Sequence, residues 1–250
     1  MVIMSMASIK GGVGKTTTTA NLGAALTLMG RKVLLIDFDP QGNLSQGLGH
    51  RSSKPTVFEV LRGTPFIDAI VEKNGFFLVP ANVSLADAEI EMGSRPAREM
   101  CLKRALKKFT SEKFDYILID CPPTAGFFPL NALTASDHLL IPVETQYYPL
   151  EGLQTMEKFR QMVCEYVAPE LKLLGILPTK YDSRRSLDRE ALEMLKKRYP
   201  GQVTETVIRT NTALAEAPAH GQTIFEWAPD SKGAQDYKAL AREIEERISQ

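Results

Sequence analysis

The chain has 250 residues, 44% of them hydrophobic and 24% charged, a globular composition that excludes disorder, a collagen-like repeat and a disulfide-stapled scaffold. Thirty Lys and Arg balance thirty Asp and Glu, so no global field draws the chain to nucleic acid, and any such contact must come from a local patch. Cys101, Cys121 and Cys164 lie far apart without CxxC spacing, no run of 18 apolar residues marks a membrane span, and the N-terminus lacks a secretory signal pattern, which together predict a soluble intracellular protein.

In chain order, the short apolar runs at residues 3–8, 33–37, 76–80, 116–120, 138–143, 171–177 and 204–208 read as strands. Several are nearly continuous in Val, Ile and Leu, as strands covered on both faces are. Helical patterns occupy residues 16–29, 84–92, 96–109, 150–167, 187–198 and 232–248, and Gly30 stands where a helix C-cap glycine is wanted. This alternation predicts an α/β fold, a doubly wound, mostly parallel sheet with helices on both faces and ligands at the carboxyl ends of its strands. With no repeat or long linker, residues 1–250 read as a single domain, and the Gly- and Ser-rich residues 41–54 read as a mobile loop.

The segment Lys10-Gly11-Gly12-Val13-Gly14-Lys15-Thr16-Thr17 follows the first strand and opens the first helix. Its glycines let the backbone wrap phosphate oxygens with N–H groups pointing inward. The helix N-terminus adds partial positive charge, Lys15 a full one, and the Thr16 hydroxyl a ligand for Mg²⁺. Asp120 ends an apolar strand beside this loop, where a carboxylate holds a magnesium shell. Asp37 and Asp39 follow another apolar strand, directly ahead of Pro40-Gln41-Gly42.

KGGVGKTT resembles the deviant Walker A box of the ParA/MinD family of P-loop ATPases, with Ile9 where the commoner pattern has glycine. LLIDFDPQGN (34–43) resembles the switch I region of the ParA branch, and FDYILIDCPPT (114–124) its Walker B strand and switch II. YDSRRSL (181–187) and NTALAEAPAHGQTI (211–224) are similar to the carboxy-terminal blocks of the ParA/Soj group. The resemblance implies a cytoplasmic, nucleoid-associated partition ATPase that binds ATP and Mg²⁺, closes into a homodimer, binds DNA without sequence preference, and has slow hydrolysis stimulated by a ParB-like or cargo-adaptor partner. Asp39 would position the attacking water, Asp37 would support magnesium, and Lys10 would reach the nucleotide of the partner subunit. Asn211 matches the family's adenine-contacting asparagine, while Pro218 and the strand end at Thr179 are further borders for the base. No winged-helix segment is expected before the phosphate loop.

Two basic runs stand out: residues 95–108 carry six Lys or Arg against Glu99 alone, and residues 180–198 carry seven against four acids. Each fits either salt-sensitive, sequence-independent DNA binding or a solvated helix face. By resemblance, Arg184 falls on a DNA-contacting arginine. The family's second such arginine is Ala213 here, so Arg185, Arg189 and Arg209 are candidates to rebuild that surface. The alternatives are a positioning ATPase for a cargo other than DNA, a MinD-like membrane-associated ATPase, a metabolic P-loop ligase and a nucleotide-binding scaffold without turnover. The last helix carries four basic and four acidic residues between Ser231 and Gln250, which predicts docking on the core rather than membrane binding.

Overall fold

The apolar runs become strands β1 (Val2–Met6), β2 (Val33–Asp37), β3 (Val71–Lys73), β4 (Phe76–Val79), β5 (Tyr116–Asp120), β6 (His138–Glu144) and β7 (Lys172–Thr179). The computed structural model describes residues 1–50, 55–73, 75–109, 114–146 and 149–249. The strands form one sheet in the order β3-β4-β2-β5-β1-β6-β7. Every pairing is parallel except that of the short edge strand β3 with β4.

Helices α1 (Lys15–Leu28), α2 (Asn43–Gly47), α3 (Val57–Arg62), α4 (Phe66–Ala69), α5 (Ala86–Met92), α6 (Cys101–Lys108), α7 (Phe127–Ala135), α8 (Pro149–Tyr166), α9 (Ser186–Arg198), α10 (Thr212–Glu216), α11 (Ile224–Trp227) and α12 (Lys232–Ser249) connect them. Successive strand residues point to opposite faces, so one apolar run serves two cores. Leu34, Ile36, Ile117 and Ile119 pack with Val57, Leu102, Phe128 and Met156 of α3, α6, α7 and α8. Val33, Leu35, Leu118 and Met4 pack with Leu22 and Leu26 of α1 and Tyr237, Leu240 and Ile244 of α12. Glycine at position 23 lets α1 sit down on β2, because a Cβ there would stand 2.6 Å from a Leu35 methyl. The apolar side of α12 is buried against the sheet, as its balanced charge predicts, and no described helix is long and apolar enough to cross a membrane.

Gly30 caps α1 in the left-handed region (φ 84°), with the Arg31 amide donating to the Leu26 carbonyl. Other expectations need correction. Residues 204–208 are not a strand. The Thr204 and Ile208 amides bond to the edge of β7, but those of Glu205 and Thr206 turn away to the Glu243 carboxylate, leaving isolated bridges at Val203 and Arg209. The helix expected over 96–109 starts late, because Ala97 sits at φ 54° and only a 3₁₀ turn (Arg98–Met100) precedes α6. The expected loop at 41–54 contains α2, tied down by Ser45, while its last four residues lie outside the described ones.

Candidate active site

The phosphate loop joins β1 to α1 and owes its shape to Gly12 (φ 75°) and Gly14 (φ 91°), both in the left-handed region that glycine adopts freely. Gly14 is the N-cap of α1, so the first-turn amides of the helix face the loop. Thr179, at the carboxyl end of β7, anchors the outer side by donating from its hydroxyl to the Val13 carbonyl at 2.8 Å. Lys15 is buried, and its Nζ donates to the Lys10 carbonyl at 3.3 Å. Burial lowers the Lys15 ammonium below its ordinary pKa, an effect that Asp120, Cys121 and Asp39 oppose.

Asp37 and Asp120 are register partners at the carboxyl ends of β2 and β5, and both are fully buried. The Thr16 hydroxyl donates to Asp120 Oδ2 at 2.7 Å, which brings together two of the three residues that the sequence nominates for magnesium. Asp37 accepts from the Ser45 amide at 2.8 Å and the Ser45 hydroxyl at 2.7 Å, and from the Asp39 amide at 3.3 Å. Burial pushes the Asp37 carboxyl up to about 6 despite these donors. Burial, reinforced by repulsion from Asp37, pushes Asp120 well above the usual carboxylate range, and the Thr16 hydrogen bond and Lys15 pull the other way. Two adjoining buried acids beside one buried lysine leave a deficit of positive charge, and the hydroxyl and carboxylate oxygens suit a hard divalent cation. Among the described residues no three His, Cys, Asp or Glu side chains gather into a metal cluster, so such a cation would take most of its ligands from phosphate and water.

Asp39 is buried, and its Oδ1 accepts from the Gln41 amide at 2.9 Å. It borders a cavity of about 990 Å³ that also exposes Gly11, Gly12, Gly14, Lys15, Thr16 and Thr17, a volume in the range of small-ligand sites. Pro218 lines the far wall, whereas Asn211 is absent from the lining and its side chain caps α10 by accepting from the Ala213 amide. Residues that the sequence did not nominate complete the walls: Asn43, Gln46 and His50 around α2, and Asn82 and Val83 after β4. For the three around α2 the sequence signal is the irregular stretch after Asp39; Asn82 and Val83 carry none. Gly49 and Gly221 hold α2 against the Pro218 segment, since a Cβ on Gly221 would stand 2.8 Å from the Gly49 Cα. Just beyond Pro218, His220 stacks on Trp227 with ring centroids 4.1 Å apart.

Lys10 lies outside the cavity lining; its ammonium stands 4.0 Å from Glu144 at the end of β6, which Lys180 also approaches at 3.3 Å. Arg184, Arg185 and Arg189 are exposed around the start of α9. Arg184 folds back on Asp182 through two hydrogen bonds, and Arg189 donates to the Ser183 carbonyl at 2.5 Å. Arg209 is clamped by Asp236 through its amide and guanidinium, which makes it a brace between the β7 edge and α12.

A family model described as an AAA domain matches residues 1–173. The chain is 41% identical over 247 residues to the sporulation initiation inhibitor protein Soj of Bacillus subtilis, covering 97% of each. It is 40% identical over 247 residues to the chromosome-partitioning ATPase Soj of Thermus thermophilus, covering 99% of this chain and 96% of that one. Among solved structures, the cobyrinic acid a,c-diamide synthase of Mycobacterium smegmatis with bound ATP analog and magnesium superimposes with a TM-score of 0.84 at 39% identity, covering 97% of this chain and 93% of that one.

Proposed function

Because the chain belongs to the Soj/ParA family of P-loop ATPases, we propose that it is a partition ATPase that binds Mg-ATP, dimerises around it and carries DNA-bound cargo. The observation that supports this most directly is the convergence of Lys15, the Thr16–Asp120 pair and Asp39 on one cavity at the carboxyl ends of the strands. Phosphoryl transfer to water asks a protein for charge neutralisation on the γ-phosphate and an aligned water, with little covalent chemistry. The loop amides from Gly11 to Thr17 and the Lys15 ammonium hold the phosphates. Thr16 and Asp120 hold Mg²⁺ directly or through water, with Asp37 behind them. An ion held there would supply neutralisation of phosphate charge. Asp39, in the cavity wall, accepts a hydrogen bond from the attacking water and orients it.

Lys10 supplies a second cation from the opposite subunit, so the complete site exists only in the dimer. ATP then acts as a timer: the closed dimer holds nucleoid DNA through the arginines at the start of α9, and hydrolysis, stimulated by an adaptor protein on the cargo, releases it. The decisive experiment is sedimentation with Mg²⁺ and a non-hydrolysable ATP analogue, followed by retention on random-sequence duplex DNA at low salt. An ATP-dependent dimer that binds DNA supports the reading; a monomer that ignores DNA overturns it. The likeness to the mycobacterial diamide synthase favours a second reading, an ATP-driven amide ligase, and turnover that depends on a small carboxylic acid acceptor instead of on DNA and a protein partner would establish it.

A further inference from the structure

The second large cavity of the molecule, about 620 Å³, lies where the end of α3, the turn into α4 and the outer face of α6 meet. It is separated from the active-site cavity by the length of α3, whose first amide, on Val57, bonds to the Pro80 carbonyl just before the Ala81–Val83 rim of the nucleotide cavity. Its walls are apolar: Val60, Phe66, Ala105 and Phe109, with the Phe66 and Phe109 rings packed 5.3 Å apart. Its charged lining residues are Arg95, Arg104 and Lys108, all exposed cations. None of the three makes an ion pair among the described residues, and no described acidic side chain lines the cavity. This is the basic run of residues 95–108, which the nucleotide site leaves unused.

From this arrangement we infer that the cavity is a docking site for a short acidic and apolar segment of a partner protein, whose large apolar side chain fills the well while flanking Asp or Glu residues meet the three cations. Arg104 and Lys108 are one helical turn apart, on the order of 5–6 Å between Cβ atoms, and Arg95 enters from the preceding loop. One carboxylate cannot serve three cations so spread, whereas a segment with several carboxylates around an apolar anchor can. The apolar surface also continues past the mouth at Ile67, which is 56% exposed, giving the apolar centre and charged rim of a protein interface. Duplex DNA offers phosphates but nothing to fill an apolar well, which sets it apart from this occupant. The site stands independently of the nucleotide chemistry.

The test is panning of a random dodecapeptide display library on the full-length protein, with counter-selection on Ala105→Trp, which fills the well. Selected peptides are then synthesised with a fluorescent label and measured by anisotropy. The expected consensus has an aromatic or leucine flanked by Asp and Glu, and it binds at least tenfold more weakly to Ala105→Trp and to the exposed double variant Arg104→Glu/Lys108→Glu. Binding of a fluorescent ATP analogue is unchanged in all three proteins, which certifies folding and keeps this result separate from the ATPase reading. A library without an acidic-apolar consensus, or a peptide that binds the charge-reversed protein equally well, overturns the proposal. Displacement of the peptide by random duplex DNA, with DNA binding lost in the same double variant, reassigns the run to nucleic acid and overturns it too.

Discussion

The Lys10 ammonium lies 4.0 Å from Glu144 of its own subunit, on the rim outside the cavity that the Lys15 ammonium enters. Two lysines five positions apart on one loop thus serve different places: one is buried at the phosphate cradle, the other is held at the end of β6. To reach a nucleotide across a dimer, Lys10 must leave Glu144.

Replacing Glu144 with Gln removes that competitor. Half-exposed ion pairs contribute about 1 kcal/mol or less, so the ATP concentration giving half-maximal dimer should fall by about fivefold at most, as read by sedimentation at fixed protein concentration. Lys10→Ala should instead abolish the ATP-dependent dimer while the monomer still binds nucleotide. An unchanged dimer in Lys10→Ala removes the cross-subunit role.

Asp39→Ala should slow turnover by about a hundredfold or more, the usual contribution of a positioned base. ATP affinity should hold, because Asp39 is distinct from the loop that grips the phosphates. The ATP-bound dimer should then accumulate on DNA and persist. Unimpaired phosphate release would assign water activation elsewhere.

Asp182 holds Arg184 through two hydrogen bonds, a geometry that lowers the carboxyl pKa and occupies the guanidinium. Asp182→Asn should therefore tighten DNA binding several-fold and steepen its salt dependence by about one phosphate contact, near 0.9 in slope. Arg184→Glu/Arg185→Glu should lose at least tenfold in DNA retention with ATP binding intact. Equal retention by both variants would move the DNA surface off α9.

Glu243 accepts from the Glu205 and Thr206 amides and from Arg247, which itself reaches the Val203 carbonyl. Burial alone would raise its carboxyl, but these donors hold it below its ordinary value. A lowered folded-state pKa contributes stability above the ordinary glutamate range, which is lost as pH falls through the folded value. Glu243→Gln should cost about 2 kcal/mol at pH 7, with the melting curves of variant and parent converging as pH falls through the lowered carboxyl pKa. A gap that stays constant throughout the acid titration would mean that the loss arises from packing instead of charge.

What the sequence disclosed was what is local. The phosphate loop, its glycine conformations and the acids at strand ends are set by neighbours a few residues away, so motif spacing nominates Lys15, Thr16 and Asp120, and the family resemblance adds Asp37. The hidden parts depend on distant partners. Arg209 meets Asp236, and Glu205 and Thr206 meet Glu243, through chain separations that no periodicity encodes. That is why a strand was expected where backbone amides serve a side chain. Helix α7 leaves no pattern in the sequence because it is buried almost all round, so it shows no amphipathic stripe, and it carries Pro129 in its first turn, where no helical amide is needed.

The chain contains one tryptophan, and Trp227 lies face to face with His220, two positions after the cavity-lining Pro218. Its emission therefore comes from a single place, stacked on an imidazole ring beside the segment that borders the nucleotide cavity. Any rearrangement of that segment is therefore readable from intrinsic fluorescence in a stopped-flow instrument, without a dye or an added label.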